Sequence, residues 1–188
     1  MKKQGKKSPG LGSFVYMEWF VPIVDYYRSL RKNEMAFEVL IPIIISVFCT
    51  LKYWKVGKLF IALDGIAEVM PTAISVLIGF TVMLITLLLT SSGPNIETLK
   101  ETETDRILHK EKITLYQGLH IQFSHSLFSE VFLLLLIFFY KFLSGLVVPA
   151  WTGVAILVVE IYLTLNVLFS ILRGVTNLYF SFFKQKQA

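Results

Sequence analysis

The chain has 188 residues, 55% of them hydrophobic and 16% charged, a formal net charge of +5 and a mean hydropathy of +0.65. A water-soluble domain of this length needs far more polar surface, so the apolar excess must face lipid. One cysteine, Cys49, excludes an internal disulfide, and no zinc-ligand spacing, phosphate-binding glycine loop or dinucleotide fingerprint occurs.

Residues 1–12 are basic and glycine-rich. MKKQGKK has the charge of a signal peptide's first region. Glu18, Asp25 and Arg28 follow it without a clean apolar stretch or small-residue cleavage site, so the segment reads as retained. A basic tail beside a membrane suits anionic lipid better than nucleic acid, and no direct nucleic-acid binding is expected. Ser13 to Leu30 is aromatic but carries Glu18, Pro22 and Asp25. It reads as an N-terminal helix at the membrane interface, where Trp and Tyr concentrate, or as a cap packed on the bundle.

Four spans follow: Phe37 to Trp54, Ile66 to Thr90 after an Asp64 cap, Leu127 to Val148, and Val154 to about Leu172 with a helical continuation toward Phe183. Each is near the ~20 residues that cross a ~30 Å hydrocarbon core. The runs are continuous rather than alternating, which selects helices over a barrel. The expectation is an all-α, polytopic membrane protein forming one domain over 1–188. It divides into a basic interfacial segment (1–34), spans one and two (35–90), a helical cytoplasmic loop (91–126) and spans three and four (127–183).

Fourteen of the 18 Lys and Arg residues lie in the N-terminal segment, the central loop and the C-terminal tail. The first hairpin carries Lys52, Lys55 and Lys58, the second carries none, and Lys141 lies inside span three. The positive-inside rule puts both termini and the central loop in the cytoplasm. That loop reads as a helix from an Asn95 cap, with Ile96, Leu99, Glu103, Arg106, Ile107 and Lys110 at helical spacing. Leu99, Glu103, Arg106 and Lys110 are candidate partner-docking residues. The plainer reading is a solvated connector.

In span two, Glu68, Thr72, Ser75, Gly79, Thr86 and Thr90 share one narrow stripe at about 100° per residue, and Thr81 faces the other way. Small and hydroxyl residues so placed serve either helix–helix packing or a pore between several copies. Glu68 either snorkels to the interface or forms a ring at the outer mouth of an oligomer. Lys141 lies about as far before the 145–153 turn as Glu160 lies after it, so an antiparallel hairpin would pair them at similar depth. The alternatives are a snorkelling Lys141 and a proton or ion relay. Asn166, Ser170, Arg173 and Asn177 form an inner stripe in span four, with Arg173 most simply a lipid anchor. His109, His120 and His125 have no partner at metal spacing, and no nucleophile lies beside a base. Neither metal, cofactor nor enzyme activity is expected.

The four spans, the charged central loop and the segment SVLIGFTVMLITLLLTSS around Gly79 and Phe80 resemble the membrane subunits of the Kiwa anti-phage defence systems. The resemblance covers the layout of most of the chain and assigns no individual residue. It implies a homo-oligomeric protein of the bacterial inner membrane that detects phage-induced disturbance and signals to a cytoplasmic, DNA-binding effector. The residues themselves leave two further classes open, a small homo-oligomeric channel lined by span two and a proton-coupled transporter using Glu160 or Glu68.

Overall fold

A computed structural model describes residues 20–144, 146 and 149–184, with side chains to Phe180. The basic residues 1–12 and the first part of the aromatic segment therefore lie outside the described residues. Helix α1 (Val21–Ser29) opens with Pro22, whose fixed φ suits a first turn. Helix α2 (Lys32–Met35) starts with Glu34 accepting the Arg31 backbone N–H at 3.0 Å. It runs through one π turn (Ala36–Leu40) into α3 (Ile41–Lys55), giving a continuous helix of 24 residues from Lys32 that is apolar enough to cross a membrane. A turn at Gly57, φ +71°, leads to α4 (Leu59–Thr90).

The central loop departs from the expected helix. Helix α5 (Pro94–Glu101) ends after two turns, and β1 (Glu103–Leu108) and β2 (Glu111–Thr114) form an antiparallel ribbon. Its two-residue turn is His109-Lys110, both at positive φ (52° and 73°). The residues read as one helical edge fall on both faces of the ribbon: Thr104, Arg106 and Leu108 turn inward while Glu103, Asp105 and Ile107 face out.

Helix α6 (Leu115–Leu143) starts twelve residues before the expected third span. Thr114 and Gln117 close a capping box, 3.2 Å and 2.9 Å, that marks the start. The added turns carry Gln122, His125, Ser126, Ser129 and Glu130, all buried, so they escape a hydropathy threshold. Helix α7 (Ala150–Lys184) completes the chain.

α6 packs on α4 and α7, α7 on α3, and α1 on α6, whereas the consecutive helices α3 and α4 scarcely touch. Leu63, Ala67, Ile74, Leu133, Ile137 and Leu157 form a core near the 145–153 turn. Leu88, Leu99, Leu119 and Phe123 form another at the end that carries the ribbon. We call these the turn end and the ribbon end. Phe48, Phe142 and Trp151 are among many apolar side chains left exposed on the outside. Among the described residues, four helices are long and apolar enough to cross a membrane, and lipid contact would account for that surface.

Candidate functional site: a buried arginine–glutamate cluster

At the ribbon end, charged residues from four elements converge. Glu34 of α2 accepts Arg106 Nη2 of β1 at 2.7 Å and lies 2.8 Å from Arg173 Nη1 of α7. Arg173 Nε is 2.8 Å from Glu38 Oε1 in the π turn. The Arg173 N–H groups are not aligned with these oxygens, so these contacts act as ion pairs rather than directed hydrogen bonds. Arg31 pairs with Asp105 of β1 at 3.0 Å on the exposed rim. The Glu34, Glu38, Arg106 and Arg173 side chains are each less than one-fifth exposed. Buried charges persist where they pair, because one left alone bears its full desolvation cost.

The second layer is aromatic. Tyr26 of α1 donates to Glu38 and lies under Arg173, whose guanidinium carbon is 5.7 Å from the ring centre. Its other side stacks on His125 of α6 at 3.7 Å and 8°. Tyr27 meets His125 edge-on and shares a 3.0 Å hydrogen bond with Tyr162 of α7. Burial, then the charge on Glu38, pushes the Tyr26 hydroxyl well above its ordinary range. Burial, then the Tyr162 contact, does the same to Tyr27. Burial and the neighbouring Arg173 lower Arg106. Val21–Ser29 is thus packed on the bundle through buried Tyr26, the second of the two readings of that segment.

Asn166 Nδ2 donates to the Glu38 carbonyl at 2.8 Å, Gln122 Nε2 to the Ser170 carbonyl, and Ser126 to the Ser170 hydroxyl at 3.1 Å. Arg31, Glu34, Arg106, Gln122 and Asn177 border a cavity of about 140 Å³ under the ribbon. That volume holds a few waters at ~30 Å³ each. The charges are matched to one another, so the arrangement fastens the ribbon and α1 to α7.

The structure separates the residues singled out in the sequence. Glu68, Thr72, Ser75, Gly79, Thr86 and Thr90 all face outward from α4. Ser75, Thr86 and Thr90 bond carbonyls of their own helix, at 2.8, 2.9 and 2.7 Å, and a Cβ at Gly79 would meet nothing within 4 Å. Thr81 turns inward and donates to Glu130 Oε1 at 2.8 Å. Lys141 and Glu160 do not pair. Lys141 sits one residue past buried Tyr140 and is exposed, whereas Glu160 is 1% exposed with no hydrogen-bond partner for either oxygen. Arg173 is fastened to two glutamates, which replaces the lipid-anchor reading.

The four loop residues do not share a face. Leu99 is buried under the ribbon end and Arg106 belongs to the cluster. Glu103, 3.7 Å from Lys112, and Lys110 at the tip are exposed. The sequence reading passed over Glu34, Glu38, Tyr26 and Glu130. Two acids four apart at the mouth of an apolar run were the available signal, since charges there need partners. No group of three or more His, Cys, Asp or Glu able to hold a metal occurs among the described residues.

Among the described residues, four helices of membrane-crossing length and apolarity, with many apolar side chains on the outside, suggest the class: a multi-pass helical membrane protein. Compared with protein-family models, curated proteins and solved structures, the chain matches none of them.

Proposed function

We infer that the protein is a non-enzymatic, homo-oligomeric sensor or anchor of the bacterial inner membrane. It reports an envelope disturbance, such as phage infection, to a cytoplasmic effector protein. The observation that carries this reading is the clamp of Arg106 and Arg173 on Glu34. Through it, a displacement of α7 within the bilayer is transmitted to the ribbon. The charge distribution puts the ribbon and both termini on the cytoplasmic side. The exposed side of the ribbon, from Glu103 at its base to Lys110 at its tip, is the docking element, and the outward stripe of α4 is the contact between copies. Little of the chain lies beyond the bilayer on the far side, so the stimulus is read within the membrane or at the short turns.

A second reading keeps the assembly and gives it a different task. The outward placement of Glu68, Thr72, Ser75 and Gly79 also suits the lining of a pore between copies. A charge at Ser75 or Gly79 would change conductance in a pore and break assembly in an anchor. The first test is native mass spectrometry of the tagged chain, extracted gently from its host with its neighbours expressed. A stoichiometric soluble partner on a defined oligomer supports the sensor. A partner-free oligomer turns the case to conductance, and a monomer overturns both.

A further inference from the structure

Glu160 is deeply buried, and no hydrogen bond or ion pair reaches its carboxyl group among the described residues. It lies ten residues into α7, about 15 Å from the helix start at 1.5 Å per residue and so about half of a ~30 Å core. Its surface is 1% exposed, and both carboxyl oxygens lack a hydrogen-bond partner. Across the α3–α7 contact, Thr50 Oγ1 is also buried and unpartnered. An ionised carboxylate in such surroundings neutralises or draws in water.

The groups facing it are few. From α6 comes Tyr140, which shares a core with Leu157 of α7, three residues before Glu160, and donates to Asp64 Oδ1 of α4 at 2.7 Å. Asp64 is exposed, and Tyr140, three residues from the end of α6, lies nearer the turn end than Glu160, ten residues into α7. From α3, the buried stripe Pro42, Ser46 and Thr50 brings no titratable side chain. Elsewhere, Glu130 is turned to Thr81, Glu38 to Arg173 and Tyr26, and Tyr162 to Tyr27. Lys141 is exposed on the outside. Among the described residues, no Lys, Arg or His forms an ion pair with Glu160.

We propose that Glu160 is a proton-binding switch inside the bundle, exchanging its proton with the turn-end compartment through Asp64 and Tyr140. In that exchange Asp64 takes a proton from the turn-end water and gives up its O–H proton to Tyr140 as Tyr140 releases its own hydroxyl proton to water drawn in beside Glu160. That water passes one proton to the carboxylate, which forms one O–H bond. The neutral acid fits the dry α3–α7 contact. The anion requires water there and parts the two helices. Because α7 runs on to Arg173, thirteen residues further, the parting reaches the arginine–glutamate cluster. With the orientation inferred above, the turn end faces outside and the stimulus becomes external acidity or a collapsing proton gradient. This last step rests on the sensor reading. The proton site does not.

The test is infrared difference spectroscopy of the full chain in lipid vesicles, titrated across the carboxyl range and upward. A protonated-carboxyl band is expected that disappears as pH rises, is absent in Glu160→Gln and moves in frequency in Glu160→Asp. Glu130→Gln keeps it. Tyr140→Phe keeps the band but slows its response to an external pH jump by at least tenfold. A band unchanged at every pH, or one that persists in Glu160→Gln, overturns the switch. An unchanged rate in Tyr140→Phe overturns the route. These readouts involve no partner, so a failed partner search leaves them standing and their failure leaves the sensor reading intact.

Discussion

Asn166 of α7 donates its side-chain amide to the backbone carbonyl of Glu38, 2.8 Å away, inside the π turn that begins the first apolar helix. A π turn shifts the carbonyl ladder by one residue and leaves acceptors that regular helix would use, and such turns recur at functional sites. Asn166 itself is fully buried. One amide therefore ties two helices to a backbone irregularity next to the ion cluster. Replacing Asn166 with Leu removes the donor while keeping most of the volume. A loss of about 1–3 kcal/mol is expected, the cost of an unsatisfied buried acceptor. Denaturant unfolding in detergent micelles measures it, and an unchanged midpoint would mean that water replaces the amide.

Arg173 answers to two carboxylates, so its removal leaves both exposed to one another. Arg173→Met is expected to destabilise by about 3–5 kcal/mol, as for other buried ion pairs broken on one side. Proteolysis at the ribbon should accelerate, because Glu34 then holds Arg106 without its second tether. The triple change with Glu34→Gln and Glu38→Gln should recover most of the loss. If the single variant is no more protease-sensitive than the parent, the cluster does not fasten the ribbon.

Two glycines separate packing within a protomer from packing between protomers. A Cβ at Gly174 would lie 2.5 Å from Phe123 Cε1, whereas one at Gly79 meets nothing within 4 Å. Gly174→Ala should cost about 1–3 kcal/mol through overpacking. Gly79→Ile should leave protomer stability unchanged. If α4 forms the contact between copies, it shifts the oligomer mass in light scattering. An unshifted mass rules α4 out of the interface.

The alkaline limb of stability has a definite sign. Tyr26 and Tyr27 are held protonated in the folded chain above their ordinary value of 10.0, mainly by burial. Their contribution is fully present below pH 10 and is lost as pH rises toward the folded-state values. Tyr26→Phe lacks the bond to Glu38, so it starts less stable near neutrality. It should then lose less stability per pH unit above 10, a difference read from denaturant midpoints along the pH series.

The ribbon turn places two side chains at positive φ, where Asn-Gly is favoured. Replacing His109-Lys110 with Asn-Gly should stabilise the ribbon by about 1 kcal/mol. Slower amide exchange in β1 and β2 would report it. If His109 instead stabilises α1 through Asp25, 3.8 Å away, exchange in α1 speeds up.

The four apolar runs were readable in the linear chain because burial in hydrocarbon depends on composition over a ~20-residue window, and no partner is needed to recognise it. The α4 stripe followed from period alone, and so did its separation from Thr81. Pairing across the bundle had no such local trace. Arg106 and Glu34 are 72 residues apart and Asn166 and Glu38 are 128 apart, so each contact exists only once the helices are packed. Lys141 and Glu160 show the converse: α7 already starts at Ala150, so Glu160 lies ten residues into its helix while Lys141 lies two from the end of α6, and one faces inward and the other outward. The loop from Asn95 to Lys112 could be wound or extended on its own pattern, and Arg106 in its clamp with Glu34 and Arg173 belongs to the ribbon. Helix position along the membrane normal is a property of sequence hydropathy; the side each polar residue faces is decided by the neighbours that receive it.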